Sequence, residues 1–356
     1  MDQLIKNSFL KKEIQPYYED DSVILFHANN LDIVSSLTSI SCISSDPPYS
    51  LKMKGMKWDY GLPSKELWKL CLNTVRLGGY ATIFGGTKTS HRMFCTVEDA
   101  GWEIRDTLMW LYSGMPKGTK LSTEIESAGL NNEDYPNLQG YGTGLRPCYE
   151  PILLARKPME STLLDCVLAN GTGALNLEGS KILPFPSATF GRTPCNLTFD
   201  NSEEVLSELA KFGESSSRPH GFHERENGVL YGGNTLTESA TKHHGTVEYG
   251  DSGSVARFYK PCELDQEDIE NSRIFYSTKA CKSEKGKFNT HISVKPKNLM
   301  KYLIKLTCPE NGIILDPFAG SGTTGVAAKE LGFKCILIEQ EEEYCEIAAK
   351  RLQLVK

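Results

Sequence analysis

Hydrophobic and polar positions along the chain form two well-patterned blocks, one towards each end. Short apolar runs predict buried strands, and apolar residues spaced three or four positions apart predict helices. The first block predicts strands at residues 23–27, 41–45, 80–84, 104–112 and 151–155, with helices at 31–37, 64–77 and 91–100. Gly78 and Gly79 are predicted to end the helix at 64–77. The second block predicts helices at 296–308, 323–331 and 342–352 and strands at 312–316 and 334–339. This alternation predicts a mostly parallel sheet with helices on both faces, an α/β fold.

The pattern weakens between the blocks, from about residue 156 to residue 277, where Gly, Ser, Asn, Thr and His become common. Such a composition is typical of disorder, but short apolar pieces at 173–177 and 273–276 favour a partly ordered, irregular region built for contacts. The second block predicts only two strands, so the sheet must be assembled from both ends of the chain. We therefore expect residues 1–156 and 275–356 to form two halves of one domain, with an insertion at 157–274.

The composition is ordinary for a globular protein, with 39% hydrophobic and 24% charged residues among 356. The 11 cysteines contain no CxxC pair, which favours reduced thiols in a cytoplasmic protein. The middle region contains four histidines without zinc-ligand spacing, and we predict no metal site from His220, His223, His243 and His244. No apolar stretch suits a signal peptide or a membrane helix.

The net charge of −6 argues mildly against a nucleic-acid partner, because the neutralisation of phosphates needs Lys and Arg. A total charge can hide a local patch. Residues 279–305 contain eight lysines and one acid, Glu284, and a smaller cluster of Lys52, Lys54 and Lys57 lies just after residues 46–49. Either cluster alone is typical of a solvated surface, so its meaning depends on the motifs beside it.

A glycine-rich turn follows the predicted strand at 312–316. Gly320, Gly322 and Gly325 fit the pattern G-x-G-x-x-G, and Glu339 ends the next strand about 20 residues later, where an acid can bind ribose hydroxyls. A structural turn, a dinucleotide site and a methyl-donor site all fit these glycines. Asp316 favours the last of these, because a carboxylate repels pyrophosphate but attracts the ammonium group of S-adenosylmethionine.

The tetrad Asp46-Pro47-Pro48-Tyr49 comes directly after a predicted strand, at the edge where open α/β sheets bind ligands. An ordinary turn rich in Pro and Asp is one interpretation. The other is a site for an aromatic amine, in which Asp46 and the Pro47 carbonyl each accept one N–H and the Pro-Pro pair stiffens the turn. Tyr49 would then stack on a base that has left its duplex.

Both segments resemble the amino-methylating DNA methyltransferases, which modify N6 of adenine or N4 of cytosine. The tetrad looks like their catalytic motif and residues 316–322 look like their cofactor motif, in the order of the beta class. Residues 291–296 are similar to the segment before the cofactor motif and depart from it at Ile292 and Ser293, while Asn29 stands where the family often has Asp. The resemblance implies catalytic residues Asp46, Pro47, Pro48 and Tyr49, and S-adenosylmethionine contacts from Asn29, Asp46, Ser293, Lys295, Asp316, Phe318, Gly320, Gly322, Thr323 and Glu339.

Further stretches look like a bacterial and prophage subgroup of this family, at residues 57–59, 84–87, 99–106, 150–157 and 171–176. The resemblance implies a circularly permuted, Rossmann-like sheet of seven strands, one of them antiparallel, with target recognition in the insertion. Asp46, where related enzymes can have Ser, leans towards adenine as the target base.

The first hypothesis is therefore site-specific, direct methyl transfer to N6 of a flipped-out adenine in double-stranded DNA. The nearest alternative is N4 of cytosine, and an RNA substrate also fits the chemistry. A nicotinamide-dependent oxidoreductase built on the glycines, and a DNA-binding protein without activity, belong to other classes. The resemblance implies a bacterial or phage-encoded cytoplasmic protein with no membrane contact, and any restriction endonuclease on a separate chain. Monomer and dimer both stay open.

Overall fold

A computed structural model describes residues 15–52, 57–112, 118–145, 147–182, 193–199, 203–216, 252–262 and 294–355. The strands are β1 (Tyr18–Glu19), β2 (Val23–His27), β3 (Ile40–Ser45), β4 (Val75–Phe84), β5 (Glu103–Leu111), β6 (Tyr149–Arg156), β7 (Leu197–Phe199), β8 (Glu214–Ser216), β9 (Ser252–Ser254), β10 (Lys260–Pro261), β11 (Ile313–Asp316) and β12 (Lys334–Glu339). The α-helices are α1 (Asn30–Val34), α2 (Lys65–Thr74), α3 (Ser90–Asp99), α4 (Leu121–Ser127), α5 (Leu163–Asn170), α6 (Glu203–Ala210), α7 (Lys297–Thr307), α8 (Thr323–Glu330) and α9 (Glu342–Leu354).

The main sheet has ten strands in the order β1-β2-β12-β11-β3-β4-β6-β5-β7-β10. The seven strands that the sequence predicts form its continuous middle, from β2 to β5, and β6 runs antiparallel to both β4 and β5. The C-terminal strands β11 and β12 lie between the N-terminal strands β2 and β3. The predicted α/β sheet, assembled from both ends of the chain with one antiparallel strand in that middle, is therefore confirmed.

Alternate residues of the central strands point to opposite faces of the sheet, as the pleat requires. Val23 and Leu25 of β2 belong to one buried cluster together with Leu303 of α7 and Leu352 of α9. Their neighbours on the strand belong to a second cluster, which helices α1, α2 and α3 cover on the other face. Helices therefore cover the sheet on both faces, and the ligand-binding edge remains where the parallel strands end.

The boundary between α2 and β4 corrects the sequence prediction of a helix at 64–77. Helix α2 ends at Thr74, and β4 already begins at Val75, which pairs with Ile40 before the register shifts. Gly78 has a φ of 76°, and a Cβ on Gly79 would lie 2.7 Å from the Ser41 carbonyl oxygen. The two glycines therefore serve a bulged strand start and its close approach to β3, and do not end a helix.

Parts of the 157–274 segment pack directly on the sheet domain. Helix α5 packs against β4, and the Asn176 amide donates to the Leu306 carbonyl of α7. Strands β7 and β10 extend the main sheet beyond β5, while β8 and β9 form a separate antiparallel pair. These strands have two or three residues each, which is too short for a periodic pattern to predict. The four histidines of the segment lie outside the described residues.

The described cysteines are all free thiols. Within the described ranges, His, Cys, Asp and Glu side chains form no group that could hold a metal ion. None of the helices in those ranges has the length and apolar character that a membrane span needs.

Candidate active site

The tetrad follows the last residue of β3, at the carboxyl end of the sheet. The Tyr49 hydroxyl donates to Asp46 Oδ1 at 2.6 Å, and the Thr89 hydroxyl donates to the Tyr49 carbonyl at 2.7 Å. Gly86 lies against the Tyr49 ring, since a Cβ there would be 3.1 Å from Cδ2 of the ring. Contacts from the β4–α3 connection therefore fix both the backbone and the ring of Tyr49.

Lys295 lies between two carboxylates in the floor of the site. Its Nζ is 2.6 Å from Asp46 Oδ2 and 3.3 Å from Glu150 Oε2, and its side chain is 6% exposed. The same ammonium lies 5.0 Å from the centroid of the Phe84 ring and 5.3 Å from that of the Tyr49 ring. Burial lowers the pKa of Lys295, but the charges of Asp46 and Glu150 outweigh this effect, and the pKa is raised above its usual value.

The hydroxyl groups of two tyrosines complete this network. The Tyr49 hydroxyl is 3.2 Å from Glu150 Oε2, and the Tyr112 hydroxyl donates to Glu150 Oε1 at 3.4 Å. Burial and the two neighbouring carboxylates raise the pKa of Tyr49 well above its usual value, so Tyr49 is a neutral phenol. Among the described residues, each Asp46 oxygen accepts one hydrogen bond, from Tyr49 or from Lys295, and a carboxylate oxygen has a second lone pair that can accept an N–H from a ligand.

The carboxylate of Asp316 organises the glycine-rich turn. It accepts from the hydroxyls of Ser45 and Thr324 and, at 3.0 Å, from the amide of Phe318. Asp316 is 2% exposed, and this burial raises its pKa to about 6. The carboxylate therefore joins the end of β3 to the start of α8, and it also lines the cavity in front of the tetrad.

This raised pKa predicts a pH dependence of stability. Between the unfolded pKa near 4 and the folded pKa of about 6, folded Asp316 keeps a proton that the unfolded chain has lost. The free energy of unfolding should therefore fall by about 3 kcal/mol as the pH rises through this window, relative to Asp316→Asn. Urea unfolding at pH 4 to 7 measures this difference. The exposed control Asp99→Asn should follow the wild type, and equal pH slopes for wild type and Asp316→Asn would contradict the assignment.

Each of the three glycines in the turn is needed for a different structural reason. Gly320 lines the cavity and has a φ of 51°. Gly322 has a φ of 80° and faces α9, where a Cβ would lie 2.8 Å from Cβ of Ala348. A Cβ on Gly325 would lie 2.6 Å from Cδ1 of Leu337, so this glycine permits α8 to pack on β12. Only the first glycine of the pattern reaches the cavity, and packing accounts for the other two.

Glu339 lies at the end of β12, beside the glycine turn. Its Oε2 accepts from the Gly320 amide at 2.7 Å, and its Oε1 accepts from the amides of Gln340 and Glu341. Burial raises the pKa of Glu339, while these amide bonds lower it, and the net change is upward. The carboxylate is thus held in place by the backbone and borders the cavity.

One cavity of about 920 Å³ joins the tetrad to the glycine turn. Most residues predicted for the site line it: Asp46, Pro47, Pro48, Tyr49, Lys295, Asp316, Phe318, Gly320, Thr323 and Glu339. Gly322 lies behind the lining, and Ser293 is outside the described residues. Asn29 accepts from the Leu31 amide at the start of α1 and lines an adjoining pocket of about 250 Å³, which shares Pro48, Trp58 and Phe318 with the cavity.

The structure adds residues that the sequence had not assigned to the site, above all Glu150 and Tyr112. Glu150 stands in one of the family-like stretches, at residues 150–157, but only its side-chain bonds reveal its part in the site. An acid next to Pro151 at the start of a buried strand was the available signal. Lys295 was predicted on the cofactor side, and its contacts lie with Asp46 and Glu150.

Acidic side chains neutralise part of the lysine-rich stretch at residues 279–305. Lys297 and Lys301 of α7 both form ion pairs with Glu330 of α8, and Lys295 is buried between its two carboxylates. The lysines at 279, 282, 285 and 287 lie outside the described residues. In the described part of the stretch, three of the four lysines therefore stabilise the fold and the site, and only Lys305 is exposed and forms no ion pair with the described residues.

A comparison with protein families identifies the class of protein. A family model for DNA methylases, N6_N4_Mtase, matches residues 40–350, which include both the tetrad and the glycine turn. The chain belongs to this family of DNA methylases.

Individual relatives agree with this assignment. The Type II methyltransferase M.HindIII of Haemophilus influenzae is 27% identical over 289 residues, which are 79% of this chain and 65% of the relative. The Type II methyltransferase M.HinfI of the same species is 40% identical over 99 residues, 26% of this chain and 27% of that protein. The chain thus spans less than two thirds of the length of these relatives.

A solved structure supports the fold. The PvuII DNA methyltransferase, described as cytosine-N4-specific, aligns with a TM-score of 0.51 at 15% identity, covering 95% of this chain and 89% of that one. At this identity, the likeness concerns the architecture of the sheet and its helices.

Proposed function

We propose that the chain transfers a methyl group from S-adenosylmethionine to N6 of an adenine that has left its DNA duplex. One observation carries this proposal: the carboxylate of Asp46 and the glycine turn at Gly320 border the same cavity. A site for an amino group and a site for a nucleoside-like donor thus lie within reach of each other. Asp, rather than Ser, as the first residue of the tetrad supports adenine as the acceptor.

The residues of the tetrad would prepare the amino group. Asp46 and the Pro47 carbonyl each accept one N–H, which draws the nitrogen lone pair out of conjugation with the ring. The neutral ring of Tyr49, fixed by Thr89 and Gly86, offers a face on which the base stacks. The nitrogen would bond to the methyl carbon as the bond between that carbon and the donor sulfur breaks, which leaves a neutral thioether. The nitrogen then loses one proton, which Asp46 can accept and pass to water.

The other end of the cavity fits the methyl donor. S-adenosylmethionine supplies an electrophilic methyl group when it is bound. Asp316 would face its ammonium group, Glu339 its ribose hydroxyls, and Phe318 its adenine. The pocket beside Asn29 adjoins Phe318 and would take the far edge of that adenine. A cavity of about 920 Å³ is of the size that holds a small-molecule ligand and leaves room for a base.

Glu339→Gln tests the donor end of the cavity. Loss of a charge-assisted hydrogen bond to ribose should raise the Kd for S-adenosylmethionine about tenfold or more. Isothermal titration measures this Kd, and Glu343→Gln, an exposed neighbour on α9, is the matched control. Unchanged affinity in Glu339→Gln would place the ribose elsewhere.

The proposal also covers target recognition, the source of the DNA and any restriction partner. The 157–274 segment would recognise the target sequence, because it is an insertion between the two halves of the sheet domain. The substrate would be bacterial or phage DNA in the cytoplasm, and a restriction endonuclease, where one exists, would be a separate chain.

Methylation-aware sequencing tests the proposed function. DNA from a bacterial host that expresses the chain should carry methylated adenine in one short sequence, and DNA from a host that expresses Asp46→Ala should not. Methylation at scattered sites, or at cytosine, would contradict the proposal. The same experiment identifies the recognition sequence.

A further inference from the structure

The mouth of the cavity is marked by the lining residues that are exposed. Among the described residues of the lining these are Thr87, Lys88, Thr143, Gly144 and Leu145, and the other lining residues are buried or half-buried. They form two strips, one after β4 and one before β6. Because β4 and β6 are antiparallel neighbours, the end of the first and the start of the second lie at the same edge of the sheet. The two strips therefore face each other across an opening of the cavity through which a base can enter.

Hydrogen bonds and close backbone packing with residues 118 and 119 hold the second strip, residues 143–145, in place. The Thr143 amide donates to the Thr119 carbonyl at 3.0 Å, and the Thr119 amide donates to the Thr143 hydroxyl at 2.9 Å. Gly118 and Gly144 approach so closely that a Cβ on Gly118 would lie 2.4 Å from the Gly144 nitrogen. Residues 143–144 are therefore paired with residues 118–119, and the next residue, Leu145, lies at the mouth of the cavity.

Leu145 is 92% exposed, although a buried leucine would stabilise the fold by about 1.5–3 kcal/mol. Scattered exposed leucines are ordinary in proteins, but Leu145 differs from them in its position. It lies at the mouth of the cavity that would take the extruded base. Proteins that open DNA commonly insert an apolar side chain such as Leu into the base stack.

Lys88 gives the opposite strip its charge. Its side chain is exposed at the mouth, and within the described residues it forms no ion pair. The mouth thus combines an apolar tip with a cation on the facing strip. A duplex offers the matching pair of features, a gap in the base stack and a phosphate beside it.

We propose that Leu145 fills the gap that the target nucleotide leaves in the duplex, and that Lys88 binds a phosphate flanking that nucleotide. This inference rests on the proposed function and assigns two residues to the extrusion step. Filling the gap removes apolar surface from water and replaces the stacking that the duplex loses when the base departs. Leu145 thereby favours the extruded state without touching the reacting atoms.

Two duplexes with the target sequence found by sequencing test the role of Leu145. One has an intact target pair, and the other has an abasic site opposite the target base, so that no pair needs to be broken. Leu145→Ala should lower kcat/KM about tenfold or more on the intact duplex and leave it within about twofold of wild type on the abasic one. The control Leu168→Ala, 76% exposed on α5, should match wild type on both.

The outcomes separate the two proposals. An equal loss on both duplexes, or no loss on the intact one, would overturn the role of Leu145 while wild-type methylation of both upholds the proposed function. A wild type that methylates neither duplex would overturn the proposed function itself.

The salt dependence of DNA binding tests Lys88 separately. Lys88→Gln should reduce the slope of log K against log salt concentration by about one, which is the signature of one lost phosphate contact. Leu145→Ala should leave this slope unchanged. An unaltered slope in Lys88→Gln would overturn the phosphate contact.

Discussion

Asp46→Asn should reduce kcat for DNA methylation by about 10²–10⁴-fold while the protein still binds S-adenosylmethionine. The amide keeps the size of the side chain but loses the charge that accepts from Tyr49 and lies against Lys295. It also cannot take up the proton that the amino group releases. Donor affinity should stay near that of wild type, because Asp316 and Glu339 at the other end of the cavity are unchanged.

Single-turnover methylation with labelled donor measures this loss, and equilibrium titration of the donor shows that the site is intact. Asp99→Asn, at the exposed end of α3, is the matched control and should retain full activity. Wild-type turnover by Asp46→Asn would remove Asp46 from the chemistry. Loss of activity together with loss of donor binding would show a structural role only.

Lys295→Met should cause the second largest loss, about 10²-fold in kcat, because a preorganised charge next to the reacting group is removed. Without the ammonium, the carboxylates of Asp46 and Glu150 face each other in a largely buried site. These two charges raise the pKa of Lys295, so the ammonium in turn stabilises the charged carboxylates, and its removal takes that stabilisation away. Since the mechanism needs an ionised Asp46, the acid limb of the kcat profile should move to higher pH.

The pH profile separates this effect from a loss of folding. A purely structural role of Lys295 would lower the amount of active protein equally at every pH. Lys295→Arg, which keeps the charge, should restore the position of the acid limb, and Lys305→Met, exposed on helix α7, which follows Lys295, should leave it unchanged. A Lys295→Met profile that superimposes on wild type after scaling would contradict the proposed role.

The sequence predicts the central sheet well because its strands and helices are long enough for their periodicity to be read. The apolar runs at β3 and β11 place Asp46 and Asp316 at strand ends, and that placement holds in the structure. The predicted start of β4 was wrong because Gly78 and Gly79 can end a helix as readily as they permit a strand bulge. Only the pairing with β3 decides between these two roles.

The contacts within the site depend on residues far apart in the chain, so local patterns could not predict them. Lys295 is 249 residues from Asp46, and the cofactor motif that follows it suggested a different contact. Glu150 and Tyr49 are 101 residues apart, and their contact follows from the adjacency of β6 and β4. Sequence motifs pointed to the tetrad as a candidate site, but only the folded sheet brings Lys295 and Glu150 to Asp46.

The reaction proposed for Asp46 and its neighbours is methylation of the exocyclic amino group of adenine in DNA. To test it, purified protein is incubated with DNA and S-adenosylmethionine, the DNA is digested to nucleosides, and the modified nucleoside is identified by mass spectrometry. Wild type should yield N6-methyldeoxyadenosine, and Asp46→Ala should yield no modified nucleoside. N4-methyldeoxycytidine as the product, or equal methylation by both proteins, would contradict this proposal.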